Sequence, residues 1–261
     1  MLKIGTYNIK NSGPLYSDPL DSWDNRKASI KEIILDQNWD IFGLQEVKED
    51  QLMELKTLSN YNYVGEVRDL TIEGAYNPVF YREDLFVCLD YGTFWLSDTP
   101  EEMSHAHSWD AACPRIATWV KLENKNTKEQ VFFISTHLDH ESEKARRKGA
   151  QLILDFIKQN NEENIVLVGD FNGNQTENFY HILTKYLKNT IENSQKHIGP
   201  VVTSTGVDFC QNPDWSKMIT IDHIFVSSNA KILKTEVVNK KVNQRYPSDH
   251  FPVSSEITWD F

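Results

Sequence analysis

The sequence is poor in cysteine, and its three cysteines lie far apart. Cys88, Cys113 and Cys210 form no CxxC pair in a chain of 261 residues. Their odd number and wide spacing exclude a disulfide framework and give no zinc-ligand pattern. We therefore interpret them as buried or incidental thiols of a protein kept in a reducing compartment.

Long apolar runs are also missing, and no stretch approaches the length of a membrane span. The first residues, Met1–Asn8, lack the basic start and apolar core of a signal peptide and are typical of a strand. The chain contains no internal repeat, low-complexity segment or long Pro/Gly/Ser linker. We therefore predict one domain over residues 1–261, located in the cytoplasm, with no membrane contact and no obligate protein partner.

Positive charge is in short supply, with 27 Lys and Arg against 38 Asp and Glu and a formal net charge of −11. Nucleic-acid binding without sequence preference depends on Lys and Arg that neutralise phosphates, and the chain has no basic tract interleaved with aromatic residues. This balance argues against a protein that coats nucleic acid. It leaves open an enzyme whose partner is a small phosphoester or a short nucleic acid, because a metal and a few local cations can hold one phosphate.

Short apolar, β-branched or aromatic runs predominate, and they predict more strands than helices. Helices are expected near Trp23–Ile34, with Ser22 as a plausible N-cap, and over Glu143–Phe156 and Thr176–Leu187. Because many strand candidates follow one another directly, we expect an α/β sandwich and not a purely parallel sheet. The strand candidates are Leu2–Ile9, Ile41–Val47, Asn77–Tyr81, Phe86–Trp95, Ile116–Leu122, Val131–His137, Ile165–Asp170, Ile219–Val226 and Pro252–Thr258.

Several strand candidates end in the same way, with an apolar run followed at once by an amide, carboxylate or imidazole. Each case alone has an ordinary explanation, because Asp and Asn are common turn formers after strands. Turns also use Gly, Pro and Ser, however, whereas these ends supply metal-binding and proton-transferring groups repeatedly. We therefore predict one polar cleft that holds a hard cation and phosphate oxygens. Its members are Asn8, Glu46, His137, Asp170, Asn172, Asp222, Asp249 and His250.

The segments around these residues resemble the endonuclease/exonuclease/phosphatase superfamily, which has the deoxyribonuclease-like fold. The Gly-Asp-Phe-Asn and Ser-Asp-His-x-Pro-Val segments are quite specific, and the ordered set runs through nearly the whole chain. The resemblance implies an α/β four-layer sandwich of two mixed β-sheets packed face to face and flanked by helices. The matching segments are Thr6–Ile9, Leu44–Val47, Ser135–Leu138, Gly169–Asn172, Ile221–Phe225 and Ser248–Val253, while Asn77–Arg82, Gly92–Ser97 and Pro114–Trp119 resemble a bacterial subgroup.

The resemblance also implies a metal site. Glu46 is expected to be the principal Mg²⁺ ligand, with Asn8 and Asp249 nearby and waters completing the shell. Oxygen ligands and retained waters are what Mg²⁺ prefers, and Mn²⁺ is expected to substitute.

The remaining residues receive catalytic roles by the same resemblance. Asp170 is expected to orient or deprotonate the attacking water, and Asn172 to hold it in line with a phosphate oxygen. His137 and His250 are expected to donate hydrogen bonds to non-bridging oxygens. Asp222 is expected to pair with His250 and to raise its pKa, so that the imidazole stays a donor.

Two arginines are predicted to bind the substrate, because the planar guanidinium matches a phosphate group. Arg115 precedes the strand candidate Ile116–Leu122 and is the better candidate. Arg82 follows an apolar strand, and a role at a sheet edge explains it equally well.

Two positions depart from the family pattern. Ala75 stands where nuclease branches carry a glutamate that pairs with the first catalytic histidine, so His137 lacks that partner unless Glu73 or Asp139 replaces it. Lys10 stands where the abasic-site endonuclease branch has an acidic residue, which argues against a role in DNA repair.

The predicted function is therefore Mg²⁺-dependent hydrolysis of a phosphoester, as a phosphodiesterase or phosphatase, by water that the metal and an Asp activate. A nuclease acting on DNA or RNA is the alternative, and a non-catalytic binding protein on the same fold is the second. A serine or zinc hydrolase is excluded, because the chain lacks GxSxG and His140–Lys144 ends in Lys where HExxH needs its second histidine.

Overall fold

The computed structural model describes residues 1–13, 18–71, 74–103, 108–205 and 212–259. Within these ranges the α-helices are α1 Trp23–Gln37, α2 Glu49–Leu55, α3 Glu143–Asn160, α4 Asn178–Leu183 and α5 Thr190–Asn193, with 3₁₀ turns at Pro19–Asp21, Ser108–Asp110 and Trp215–Lys217. The strands are β1 Leu2–Asn8, β2 Ile41–Gln45, β3 Tyr61–Val64, β4 Val79–Arg82, β5 Phe86–Trp95, β6 Ile116–Asn124, β7 Gln130–His137, β8 Ile165–Asp170, β9 Leu187–Asn189, β10 His197–Ile198, β11 Asp222–Ser227, β12 Ala230–Val237 and β13 Val253–Trp259.

The strands form two sheets. One has seven strands in the order β10-β12-β13-β1-β2-β4-β3, and the other has six in the order β5-β6-β7-β8-β11-β9. Each sheet contains parallel pairing, β1 with β2 and β7 with β8, among antiparallel neighbours. Both sheets are therefore mixed, as predicted.

Three layers of apolar side chains join the sheets and helices into a four-layer sandwich. Strand β8 shows the arrangement, because its side chains alternate between two of these layers. Val166 and Val168 lie in the core between the sheets, whereas Leu167 packs in the outer layer beneath α3. On the other side, α1 packs on the seven-stranded sheet through residues that include Ile30 and Ile34. Because β8 is covered on both faces, its sequence is continuously apolar.

The topology brings the predicted polar residues to one edge. The parallel pairs β1/β2 and β7/β8 each end at the same side of their sheet. Strand β13 runs antiparallel to β1, and β11 runs antiparallel to β8, so their amino ends meet that same edge. In the register of the six-stranded sheet, Asp170 lies between His137 on β7 and Asp222 on β11.

The structure differs from the sequence prediction mainly in short or polar elements. Helix α2 and strands β3, β9, β10 and β12 were not predicted, and α4 is shorter than the expected helix. Ser22 precedes α1, but its side chain makes no capping hydrogen bond. Across the described ranges, no helix has both the length and the apolar character needed to cross a membrane.

Candidate active site

The strand ends open into a cavity of about 530 Å³. Most of the predicted site residues line its wall: Glu46, Arg115, His137, Asp170, Asn172, Asp249 and His250. Asn8 and Asp222 lie just behind this wall and are 0% and 1% exposed. Asn8 contacts Glu46, and Asp222 contacts His250.

Asn8, at the end of β1, links Glu46 with Asp170. Its Nδ2 donates to Glu46 Oε1 at 3.0 Å and to Asp170 Oδ2 at 2.9 Å. Its Oδ1 accepts from the backbone N–H of Lys10 at 3.1 Å. The amide nitrogen therefore faces the two carboxylates, so Asn8 aligns them with each other.

Glu46 follows β2 with a left-handed backbone (φ 63°) and is held by Asn11 as well as Asn8. Its Oε2 accepts from the Asn11 backbone N–H at 3.1 Å and from Nδ2 at 2.7 Å. Burial alone would raise the pKa of Glu46, but the Lys10 ammonium and the Asn8 amide outweigh it and hold the pKa at about 2. Glu46 is therefore ionised at neutral pH.

Asp170, at the end of β8, is 1% exposed. Burial, together with the charge of Asp222, raises the pKa of this carboxyl to about 7, although the positive charge of His250 opposes the rise. Its Oδ1 accepts from the Asn172 backbone N–H at 2.9 Å. The group can therefore exchange a proton near neutral pH.

His250 and Asp222 form a buried pair. His250 Nδ1 lies 2.8 Å from Asp222 Oδ2, and His250 Nε2 lies 3.7 Å from Asp170 Oδ2. Burial alone would lower the pKa of His250, but the two carboxylates outweigh it and hold the pKa well above its usual range. The imidazole is therefore a cation whose Nε2–H is directed towards Asp170.

His137 differs from His250 in its charge. Burial and the positive charges of Arg115 and Arg68 keep the pKa of His137 well below its usual range. Asn172 Nδ2 lies 2.9 Å from His137 Nε2 and donates to the Leu138 carbonyl at 3.0 Å. Because Nδ2 is a donor, this contact requires Nε2 of a neutral His137 to be the acceptor, with the ring proton on Nδ1. His137 therefore orients Asn172 through this contact, and its expected donation to phosphate oxygens stays a prediction.

Arg115 reaches the cavity from the segment before β6 and is only 7% exposed. Its Nε lies 3.5 Å from Asp139 Oδ2, and a terminal nitrogen lies 2.9 Å from His140 Nδ1. Asp139 also accepts backbone hydrogen bonds from Ala112, Glu141 and Ser142. Asp139 thus fixes Arg115 and does not pair with His137, while Glu73, the other candidate, lies outside the described residues.

The structure does not bring Arg82 to the cavity. Arg82 pairs beside the amino end of β2, where its backbone N–H donates to the Asp40 carbonyl, whereas Glu46 follows the carboxyl end. The six residue steps from Asp40 to Glu46 correspond to about 20 Å of extended strand. The guanidinium instead pairs with Asp84 at the sheet edge. The position of Arg82 therefore favours the sheet-edge role over substrate binding.

Several cavity residues were not predicted, among them Asn11, Lys48, Arg68 and His140. Arg68 lies in the connection after β3, where no strand end or specific motif marks it. Asn11 comes three residues after Asn8, and its polar character was the only available signal.

A buried arginine that was also missed holds the loops of the site together. Arg26, on α1, is 3% exposed and donates only to backbone carbonyls among the contacts described for its guanidinium. The acceptors are Ile9, Lys10 and Asn11 after β1, Pro247 before β13, and Asp21, at 2.6–3.3 Å. Arg26 therefore joins the loop that carries Asn11 to the loop that carries Asp249 and His250.

The chemistry of the cavity suits a divalent cation. Glu46 offers ionised carboxylate oxygens towards the cavity, and Asp249 lies on the same wall. A second group, Asp170, Asp222 and His250, has ligand atoms within 4.8 Å of one another. His250 is protonated and committed to Asp222, however, and a metal ligand must be deprotonated. The fit to a hard cation such as Mg²⁺ is therefore better at Glu46.

Comparisons with known proteins agree with this architecture. Residues 5–250 match the sequence model of the endonuclease/exonuclease/phosphatase family. The crystal structure of an endonuclease/exonuclease/phosphatase from Bacteroides vulgatus is similar, with a TM-score of 0.92 and 33% identity over 99% of each chain. A mannosyl-6-phosphatase from Bacteroides thetaiotaomicron VPI-5482 has a TM-score of 0.91 and 32% identity, covering 99% of this chain and 100% of that one.

A more distant relative comes from a yeast. The CCR4-Not complex 3'-5'-exoribonuclease subunit Ccr4 of Kluyveromyces lactis is 27% identical over 188 residues, or 58% of this chain. The aligned region spans only 23% of that relative's length. The family match over nearly the whole chain, with the shared two-sheet architecture, shows that this protein belongs to the endonuclease/exonuclease/phosphatase family of metal-dependent phosphoester hydrolases.

Proposed function

We propose that this protein is a Mg²⁺-dependent phosphatase that removes the phosphate group of a small phosphorylated molecule, such as a sugar phosphate. The observation that carries the proposal is the positive charge around His137. Arg115 and Arg68 line the same cavity, and their positive charges lower the pKa of His137. His137 Nε2 and His250 Nε2 lie 3.4 and 3.7 Å from Asp170 Oδ2, so the His250 imidazolium is close to the same place. These groups would surround the reacting phosphate with cationic donors.

The positive charges of the cavity favour a phosphomonoester over a phosphodiester, because the monoester carries more negative charge. A monoester carries close to two negative charges at neutral pH, since its second pKa is about 6, whereas a diester carries one. Two guanidinium groups and an imidazolium offset a dianion better than a monoanion, and Arg115 is held in place by Asp139. A cavity of about 530 Å³ also suits a small substrate. The similarity to a mannosyl-6-phosphatase supports the same substrate class.

Asp170 would accept the proton of the attacking water. A carboxyl with a pKa of about 7 is well matched to this task near neutral pH. Asn8 and the Asn172 backbone hold both of its oxygens, so the carboxylate is fixed before the substrate arrives. Both Nδ2 hydrogens of Asn172 are used by His137 and the Leu138 carbonyl, so its Oδ1 would accept from the attacking water and orient it towards the phosphate.

His250 would stabilise the charge that builds on the non-bridging oxygens. Asp222 keeps the imidazole protonated, and this buried pair is formed before the substrate arrives. Preorganised donors of this kind are each worth about 3–4 kcal/mol in the transition state.

Glu46 and Asp249 would hold Mg²⁺, and Asn8 would orient Glu46 by donating a hydrogen bond to its Oε1. When bound, the metal supplies Lewis-acid stabilisation of the phosphate oxygens and lowers the pKa of its bound water. The ionised state of Glu46 means that no proton has to leave this ligand at neutral pH.

The proposal is tested by measuring turnover of a panel of substrates with Mg²⁺. The panel contains p-nitrophenyl phosphate, bis-p-nitrophenyl phosphate, sugar phosphates, nucleotides, and short RNA and DNA. We expect kcat/KM for monoesters to exceed that for the diester by at least about tenfold, loss of turnover with chelator, and recovery with Mg²⁺ or Mn²⁺. Arg115→Met should raise KM for monoesters, and Glu46→Gln should abolish metal-stimulated turnover.

Arg82→Met provides the matched control, because it removes the same charge from a position outside the cavity, and its kinetics should equal those of the wild type. Faster cleavage of RNA or DNA than of any monoester would overturn the phosphatase assignment in favour of a nuclease. No turnover of any substrate with either metal would favour a binding protein.

A further inference from the structure

The wall of the cavity that carries the carboxylates also carries an ammonium group. Lys10 Nζ lies 3.0 Å from Asp249 Oδ2, and the side chains are 21% and 9% exposed. The same ammonium is the strongest of the charges that keep Glu46 ionised. Lys10 therefore acts on both carboxylates that the proposed function assigns to the metal.

Hydrogen bonds hold the backbone of Lys10 in a position that places its side chain at the cavity wall. Lys10 has a left-handed backbone (φ 55°), which is uncommon for a residue other than glycine. Its carbonyl accepts from Arg26 at 3.0 Å and from Gln51 at 2.9 Å, and its N–H donates to Asn8. Arg26 and Gln51 are buried, at 3% and 0% exposure. These contacts show that the position of Lys10 is built into the fold.

We propose that Lys10 is an internal counter-cation of Glu46 and Asp249, which neutralises them in the metal-free protein and weakens the binding of the divalent ion. The inference rests on the proposed function, because it concerns the metal of that same site. It adds a regulatory property: the metal must displace or share the contacts of Lys10, so it binds more weakly and exchanges more readily.

Electrostatics give the direction and size of the effect. The carboxylates of half-buried Glu46 and buried Asp249 both line the cavity, and the Lys10 ammonium offsets their negative charge without any metal. A divalent ion at the same carboxylates is repelled by the ammonium over a few ångströms, where charges near a protein surface interact strongly. Removal of the ammonium should therefore tighten metal binding by about tenfold or more.

Titration of metal-stripped protein with Mn²⁺, followed by calorimetry and by the electron paramagnetic resonance signal of free Mn²⁺, measures this directly and does not depend on turnover. We expect Lys10→Met to bind Mn²⁺ at least about tenfold more tightly than the wild type. Lys10→Arg keeps the charge and should stay within a few-fold of the wild type. Lys48→Met removes a lysine from the same cavity and should have a clearly smaller effect.

Thermal unfolding of the metal-free proteins provides the second measurement. Without the ammonium the carboxylates repel each other, so Lys10→Met should unfold at a lower temperature and gain more from Mn²⁺ than the wild type does. If Lys10→Met does not fold without metal, Lys10→Gln, which can still donate a hydrogen bond to Asp249, takes its place in both assays.

Unchanged or weaker Mn²⁺ affinity in Lys10→Met, or in Lys10→Gln where that variant replaces it, would overturn the inference. An equal gain in affinity in Lys48→Met would overturn it as well, because any positive charge in the cavity would then have the same effect. If the wild type hydrolyses p-nitrophenyl phosphate with Mg²⁺ but these affinities do not differ, the proposed function stands and this inference fails. If the wild type binds no Mn²⁺ and Mg²⁺ does not stimulate it, the proposed function fails as well.

Discussion

Replacement of Asp222 by asparagine removes one negative charge from the buried pair with His250 and leaves the side-chain volume nearly unchanged. The two residues are 2.8 Å apart, and they are 1% and 7% exposed. Burial by itself lowers the pKa of His250, and Asp222 is the strongest of the groups that raise it. In Asp222→Asn the pKa of His250 should therefore fall, and the imidazole should lose its proton at a lower pH.

The size of the effect follows from the role proposed for His250. Loss of a charge-stabilising donor costs about 3–4 kcal/mol in the transition state, which corresponds to about 10²–10³-fold in kcat. Because the protonated imidazole is the active form, activity is lost as the pH rises through its pKa. The variant should therefore lose kcat at pH 8 by about this factor, with little change in KM, and the falling limb of its pH profile should move to lower pH.

The assay is the pH dependence of kcat for p-nitrophenyl phosphate with saturating Mg²⁺. Asp24→Asn is the control, because Asp24 is an exposed aspartate on α1 that pairs with Lys27. Thermal unfolding of both variants separates loss of chemistry from loss of folding. A kcat for Asp222→Asn within tenfold of the wild type, with an unmoved falling limb, would refute the role given to the pair.

Two further predictions concern the support of the site. Arg26→Met removes five hydrogen bonds to backbone carbonyls, although the Lys10 carbonyl keeps its hydrogen bond from Gln51. Each buried group left unsatisfied costs about 1–3 kcal/mol, so urea unfolding should show several kcal/mol of lost stability. Arg26→Met should also lower kcat, and Arg26→Lys should recover part of that loss while KM stays unchanged. Equal kcat in the two variants would contradict a positioning role. Burial lowers the pKa of His223, so below pH 6.5 the unfolded chain binds the proton first and stability falls as the pH falls. His223→Gln should flatten the decline in unfolding free energy between pH 7 and 5, and an unchanged slope would refute this.

The sequence predicted those parts of the molecule whose signal lies within a few consecutive residues. An apolar run in β8 that ends in Asp170 indicates both a strand covered on two faces and a carboxylate at its end. The same holds for β2 and Glu46, and the ordered motifs then indicated the family and the sandwich, which the fold and the comparisons confirm. The catalytic and metal-binding roles of these residues stay predictions until the variants are measured.

The parts that were missed depend on contacts between distant segments. Arg26 looks like one more polar residue of an amphipathic helix, because its acceptors are backbone carbonyls that no side-chain pattern records. Arg68 enters the cavity only through the path of the connection after β3. Strand β12 alternates with Lys231, Lys234 and Glu236 on its outer face, which weakens its apolar signal. The position of Arg82 outside the cavity could not be predicted, because residues beside an apolar strand do not reveal at which end of the sheet they lie.

The place of β13 in the seven-stranded sheet has a consequence for biosynthesis. This last strand lies between β12 and β1, and the loop before it carries Asp249 and His250 to the residues that follow β1. A nascent chain that has not yet released Val253–Trp259 from the ribosome thus lacks the centre of that sheet. It has neither the Arg26 contact to Pro247 nor the Asp222–His250 pair in place. The proposed hydrolysis therefore requires that Val253–Trp259 has paired with β1 and β12, and activity in a cell-free synthesis would report chains in which this strand is in place.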